Sequence, residues 1–152
     1  MNELGIVNQT RLKDLSLHLP YHVLCSVQYD KNVEPVTYEL YGLFTNGEVR
    51  FLDKEGSSLC LTNTIQNVKP YLRSLDSMTN VEFIKFQEVM KGCAYVYGTN
   101  NRIYELKTLT LEAREWLLEN HFDITGMIPD DFAIEVTPEN NPYKNYKHYD
   151  KS

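Results

Sequence analysis

The sequence has little of what marks a metal site, a disulfide framework or a phosphate-binding loop. Its three cysteines (Cys25, Cys60 and Cys93) stand far apart without a CxxC pair, which favours small core residues in a reducing compartment. The seven glycines are scattered, and neither GxGxxG nor GxxxxGKS/T occurs, so those nucleotide-binding loops are excluded. The four histidines are too dispersed for a zinc site. We therefore predict no catalytic residue, no metal, no disulfide and no cofactor.

The sequence also shows no pattern typical of a membrane-spanning helix or a signal peptide. No apolar run approaches the ~20 residues that cross a bilayer, and the first residues lack the apolar stretch of a signal peptide. The 152 residues are 42% hydrophobic, which suits one domain with an ordinary core. The net charge of −6 disfavours nucleic acid and anionic lipid as partners, because both carry the same sign. We expect a single cytoplasmic domain with no membrane contact.

The strand signals centre on Asn46-Gly47, a dipeptide typical of a type I′ turn. It would join strands Val36–Thr45 and Glu48–Leu52, and counting outward from it pairs Phe44 with Val49 on the core face. Further strands are predicted at Val23–Tyr29, Ser58–Thr62 and Phe132–Val136, and a second hairpin at Cys93–Gly98 and Arg102–Leu106. The region after Thr10 predicts one short helical turn that runs into an extended segment.

Two helices are predicted from their caps and apolar stripes. Thr79 to Glu82 fits a capping box that begins a helix over 80–91. Thr110 caps a second helix from Leu111 to His121, with His121 in its last turn. The prediction is an α+β domain over residues 1–137, a mostly antiparallel sheet from two hairpins packed against these two helices. One core cluster should unite its large apolar residues, Trp116, Phe83, Phe86, Phe44 and Val49.

His121-Phe122-Asp123 is the one segment with a catalytic look. A histidine and an aspartate two residues apart can form an orienting pair or half of a metal site. No second histidine lies nearby, and no serine or cysteine stands in a nucleophile setting. The favoured interpretation is a helix-end His121 followed by Asp123 as a turn former.

The C-terminal tail, 138–152, is rich in tyrosine and lysine. Its candidate interaction residues are Tyr143, Tyr146, Tyr149, Lys144 and Lys147. Docking of this tail on its own domain or on a second copy, or simple disorder, is one interpretation. The alternative is stacking on single-stranded nucleic acid, for which aromatics interleaved with lysines are suited.

Three stretches resemble small uncharacterised proteins of Bacteroides-type gut bacteria, their prophages and related phages. They read LKDLSLHLPY (Leu12–Tyr21), VKPYLRSLDSMT (Val68–Thr79) and HFDITGMIPDDFAIEV (His121–Val136), and they cover about a quarter of the chain. The resemblance implies a phage or mobile-element origin and a bacterial cytoplasmic setting, and it carries no activity or site. In the second stretch, Arg73 is placed to pair with a carboxylate.

The leading functional hypothesis is a non-enzymatic accessory protein that binds another protein or a second copy of itself. Tyrosine-rich surfaces suit such contacts, because tyrosine supplies area at a low entropy cost. A nucleic-acid-associated regulator acting through the tail is the first alternative. An enzyme of unfamiliar type around His121 and Asp123 is the second.

Overall fold

The computed structural model describes residues 3–28, 30–44, 48–53, 58–61, 65–89 and 110–144. Within these ranges the helices are α1 (Glu3–Ser16), α2 (Asn80–Val89) and α3 (Leu111–Glu119). The strands are β1 (Leu24–Val27), β2 (Val36–Leu43), β3 (Val49–Leu52), β4 (Ser58–Leu61), β5 (Val68–Leu72) and β6 (Ile134–Glu135).

These strands form one sheet in the order β4-β3-β2-β1-β5-β6. Every pairing is antiparallel except that of β6 with β5, which is parallel. The predicted α+β class with a mostly antiparallel sheet is confirmed. The predicted second hairpin, Cys93–Gly98 with Arg102–Leu106, lies outside the described residues.

β1 is the central strand, and all four of its residues are buried. It pairs with β2 on one side and β5 on the other, so both of its faces and both of its edges are covered. Cys25 lies at its middle with no exposed surface, and this burial raises the pKa of the Cys25 thiol. The predicted strand at Val23–Tyr29 is confirmed by β1, as is the one at Ser58–Thr62 by β4.

The predicted antiparallel pairing of β2 with β3 is confirmed, whereas the predicted Asn46-Gly47 turn lies outside the described residues. The predicted register is wrong by one residue next to the turn and by two residues beyond Gly42. Leu43, not Phe44, faces Val49, and the Phe44 N–H donates to the Glu48 carbonyl at 3.0 Å. A bulge between Leu40 and Gly42 makes Tyr41 the extra residue of β2.

The bulge brings Leu40 and Leu43 to the same face, where both pack in the core. Next to the turn the register differs from the predicted one by one residue, so Leu43 rather than Phe44 lies beside Val49 on the core face. The same slip turns Phe44 to the other face of the sheet, where it is 40% exposed.

The core is divided into two clusters, so the predicted single cluster is wrong. The sheet cluster joins residues of the strands to α1 and to the 127–133 segment; its buried members are Leu15, Val23, Cys25, Val27, Leu40, Val49, Phe51, Ile65, Val68, Leu72, Met127 and Ala133. The helical cluster joins α2 and α3 to the 122–124 segment; its buried members are Met78, Phe86, Ala113, Leu117, Leu118, Phe122 and Ile124.

The five residues predicted to meet are distributed between these clusters and the surface. Val49 lies in the sheet cluster, Phe83, Phe86 and Trp116 belong to the helical cluster, and Phe44 belongs to neither. The reason is that α2 and α3 bury their apolar stripes against each other, with Phe86 and Trp116 rings 5.8 Å apart. α1 takes the place on the sheet that these helices were predicted to fill.

The prediction of a single helical turn after Thr10 is also wrong, because α1 already begins at Glu3. Long-range contacts hold it: the buried Arg11 guanidinium donates to the Val68 carbonyl at 3.2 Å and lies 4.4 Å over the Phe132 ring. Leu15 is fully buried in the sheet cluster. Such tertiary contacts stabilise helices whose sequence periodicity is weak.

Both predicted helix caps are confirmed. The Thr79 hydroxyl accepts the Glu82 N–H at 3.1 Å, and the Glu82 carboxylate accepts the Thr79 N–H at 3.0 Å. The Thr110 hydroxyl accepts the Ala113 N–H at 3.1 Å. These bonds satisfy donors that the first helical turn leaves unpaired.

Candidate functional site

A cleft of about 400 Å³ opens where the end of α3 meets the end of β5 and the segment after β6. Three ionisable side chains border it, namely Arg73, His121 and Tyr143. The remaining lining comes from Ser77, Glu119, Asn120, Val136, Thr137, Pro138 and Asn141. The cleft therefore includes one predicted catalytic candidate and one predicted interaction residue.

His121 lies beyond α3 rather than in its last turn, so its predicted position is wrong. The helix ends at Glu119 with Asn120 as its cap, and His121 takes the left-handed conformation (φ 63°) that turns the chain away from the helix. Its carbonyl accepts the Arg73 N–H at 2.7 Å. Its ring stacks on the Tyr143 ring with centroids 4.0 Å apart and 13° between planes.

Asp123 is a buried turn former, as the favoured interpretation of its sequence indicated. Its Oδ1 accepts the N–H groups of Gly126 (3.1 Å) and Met127 (3.0 Å), and its Oδ2 accepts that of Ile128 (2.9 Å). Three backbone donors hold this carboxylate inside the loop. The Asp123 carboxylate is therefore bonded within its own loop, while the His121 ring stacks on Tyr143.

Arg73 is held by Glu82 in a bidentate ion pair. Its two terminal nitrogens donate to the two carboxylate oxygens at 2.7 and 2.6 Å, and its guanidinium lies 4.2 Å over the Phe122 ring. The hydrogen bonds from Arg73 lower the pKa of Glu82 to about 2. The expectation that Arg73 pairs with a carboxylate is confirmed, and the same Glu82 completes the α2 capping box. The charge of Arg73 is thus neutralised within the fold.

Tyr143 bridges two strands of the sheet through its hydroxyl. The hydroxyl donates to the Tyr71 carbonyl at 2.8 Å and accepts the Leu24 N–H at 3.0 Å. Burial raises the pKa of this phenol well above its usual value. The bond partners lie 119 and 72 residues away in sequence, so no local pattern could have indicated them.

The position of this bridge follows from the β1–β5 ladder. The Gln28 N–H donates to the Asn67 carbonyl, so hydrogen-bonded pairs recur two residues on, at Ser26 with Lys69 and then at Leu24 with Tyr71. The ladder instead stops at Cys25 and Pro70. The Tyr143 hydroxyl stands between the two groups that would otherwise bond directly.

Of the other predicted interaction residues, the structure describes only Lys144. Lys144 is exposed at the end of the described segment. Tyr146, Lys147 and Tyr149 lie outside the described residues. Whether this tail contacts a partner stays a prediction.

Among the described residues, no three His, Cys, Asp or Glu side chains are grouped to hold a metal ion. No helix in the described ranges has the length and apolar content to cross a bilayer. Comparison with known families, curated proteins and solved structures finds no match for the chain.

Proposed function

We propose that this chain is a non-enzymatic accessory protein of phage or mobile-element origin that acts by binding another protein. The contact surface is the hairpin patch, which we define as Tyr41, Phe44 and Arg50 at the end of the β2–β3 hairpin. The observation that supports it most strongly is the exposure of two aromatic side chains beside a stacked arginine.

The geometry of the hairpin patch suits a protein contact. Tyr41 is 47% exposed and Phe44 is 40% exposed, and the Arg50 guanidinium lies 4.5 Å from the centre of the Phe44 ring. Tyrosine and arginine are enriched among residues that dominate interface energetics. Side chains already held in place lose little entropy on binding.

The occupant of the hairpin patch is a different protein rather than a second copy. Each copy carries a net charge of −6, so two copies repel one another. Arg50 adds a cation to an aromatic surface, which is complementary to a carboxylate next to an apolar side chain. We therefore expect a partner that places one carboxylate and an apolar side chain against this patch and whose net charge is not negative, since a net negative partner would be repelled as a second copy is.

The two alternative functions receive less support from the described contacts. An enzyme centred on His121 and Asp123 would need both side chains at one reacting centre, whereas Asp123 is bonded to three N–H groups of its loop. A nucleic-acid regulator would need the tail, in which Tyr143 is already used to bridge β1 and β5. Lys144 is exposed, and the residues after it lie outside the described ranges.

The test compares three purified proteins: wild type, the double variant Tyr41→Ser/Phe44→Ser, and the control Val81→Ser. Val81 is 78% exposed on α2, so the control removes an exposed apolar side chain elsewhere. Each protein is immobilised on a resin and exposed to a lysate of a Bacteroides-type bacterium. Retained proteins are identified by mass spectrometry, and each candidate is then purified. Isothermal titration calorimetry gives the Kd of each candidate for the three proteins.

We expect one purified candidate to bind wild type and Val81→Ser with equal affinity and the double variant at least ~10-fold more weakly. That ratio corresponds to about 1.4 kcal/mol, a modest loss for two interface aromatics. The proposal is contradicted if no purified protein discriminates the double variant from wild type. Saturable binding of a labelled single-stranded oligonucleotide at ~150 mM salt, weakening steeply as salt rises, would favour the nucleic-acid alternative instead.

A further inference from the structure

His18 lies at the boundary between the two core clusters. It follows the end of α1, its N–H donates to the Leu15 carbonyl at 3.0 Å, and its carbonyl accepts the Tyr21 N–H at 3.1 Å. The apolar residues on either side of it alternate between the two clusters. Leu15 and Leu19 pack in the sheet cluster, whereas Leu17 and Tyr21 pack in the helical cluster.

The imidazole of His18 is buried without a hydrogen bond. Its exposed fraction is 0%, and neither ring nitrogen has a partner within the described part of the chain. A buried polar group without a partner costs about 1–3 kcal/mol. An apolar side chain of similar size would fill this boundary without that cost. The cost is tolerable while the ring is neutral, and it rises sharply once the ring carries a charge.

The charged groups near His18 do little to stabilise its cation. Asp123 is the carboxylate that acts on it, and its two oxygens already accept three backbone N–H groups. Asp14, on α1, has its pKa raised by burial and then by Asp123, which weakens its use as a counter-charge in mild acid. Desolvation is accordingly the dominant influence, and it lowers the pKa of His18 to about 4.

We infer that His18 is an acid-sensitive joint, whose protonation separates the helical cluster from the sheet cluster while the sheet stays paired. A cation at this boundary can be hydrated only if the clusters part. The sheet cluster is tied together by the β1, β2, β3 and β5 ladders. The helical cluster packs between two short helices and is attached to the end of β5 at Arg73, whose backbone bonds to His121 and Asp123 and whose guanidinium pairs with Glu82. The helical cluster is therefore the half that moves, by turning about this attachment.

The direction and pH window follow from linkage. In the open form His18 is hydrated and titrates near its ordinary value of 6.5, whereas in the closed form its pKa is about 4. Above 6.5 both forms are neutral and the joint is unaffected. As pH falls from 6.5 to 4 the open form binds the proton first, so the open-to-closed ratio rises by up to about tenfold per unit, and the total approaches about 300-fold only below pH 4.

The chain contains its own reporter for this opening. Trp116 is the single tryptophan, and its ring lies 6.1 Å from Phe122 and 5.8 Å from Phe86 inside the helical cluster. Acidification from pH 7.5 to 4.5 should red-shift its fluorescence. Hydrogen exchange, corrected for the intrinsic pH dependence, should show loss of protection in α2 and α3 and retained protection in β1 and β2.

The variant His18→Leu should abolish the fluorescence change, because it removes the titrating ring and keeps an apolar side chain at the boundary. The matched control is His22→Gln, since His22 is half-exposed with Nδ1 2.9 Å from the Glu39 carboxylate and glutamine keeps a donor there. The control should retain the wild-type transition.

A measurement on the wild type protects the test against a variant that does not fold. NMR titration of the His18 ring should give a midpoint well below 6.5 that coincides with the Trp116 change. The inference is overturned by a His18 ring that titrates near 6.5 without a fluorescence change, or by a transition that survives in His18→Leu. It is also overturned if helix and sheet amides lose protection together.

Discussion

Replacing Tyr143 by phenylalanine removes one oxygen from the seam between β1 and β5 and keeps the ring. The Leu24 N–H and the Tyr71 carbonyl, which bond to this hydroxyl at 3.0 and 2.8 Å, would then lose their partner. Each buried backbone group left unpaired costs about 1–3 kcal/mol. Closure of the strands into a direct bond would recover part of this cost. We therefore expect the free energy of unfolding to fall by about 2–4 kcal/mol, while the stacking on His121 is retained.

Urea unfolding followed by circular dichroism measures this change, with Tyr21→Phe as the matched control. Tyr21 packs against the helical cluster, and its hydroxyl has no hydrogen-bond partner among the described residues. The control should change the free energy of unfolding by less than about 0.5 kcal/mol. An equally small loss for Tyr143→Phe would refute the reasoning, because it would show that the hydroxyl does not bridge the strands.

Three further variants test other contacts. Glu82→Gln should lower the free energy of unfolding by about 2 kcal/mol at pH 7. Because the folded pKa of Glu82 is lowered from 4.5 to about 2, its contribution is present above 4.5 and is lost as pH falls to 2, so denaturation curves of variant and wild type should converge there. Asp123→Asn should cost about 1.5–3 kcal/mol at pH 7, because three N–H groups lose a charged acceptor; an unchanged urea midpoint would argue against the turn-forming role. Phe44→Ser should leave the thermal midpoint nearly unchanged, since the ring is outside both clusters, and a large drop would place it in the core.

The features that sequence predicted correctly are those whose interactions are local. The caps at Thr79 and Thr110 join residues three apart, so the pattern of polar and apolar residues contains the whole interaction. The turn formed by Asp123 is also local, since the N–H groups that its carboxylate accepts extend no farther along the chain than Ile128. The sheet class followed from β-branched and aromatic runs, which do not depend on the exact register.

The features that sequence missed depend on residues far apart or on competition between local rules. The register of β2 with β3 was misassigned by one residue next to the turn, and the bulge at Tyr41, for which the sequence has no signal, adds a second residue of shift beyond Gly42. Tyr143 was recognised as an interaction residue, but its partner strands are 119 and 72 residues away. His18 was considered only as a zinc ligand and its place between two clusters was not predicted, because only the folded chain shows that the residues around it belong to different clusters.

The most direct test of the proposed function is the hydrogen-exchange footprint of the protein on its purified partner. Amides of the β2–β3 hairpin around Gly42 and Arg50 should gain protection in the complex, since Tyr41 and Phe44 are exposed there in the free chain. Amides lining the cleft at 119–121 and 136–143 should exchange as in the free protein. Protection centred on the cleft, with an unchanged hairpin, would contradict the account and move the contact to the surface beside Tyr143.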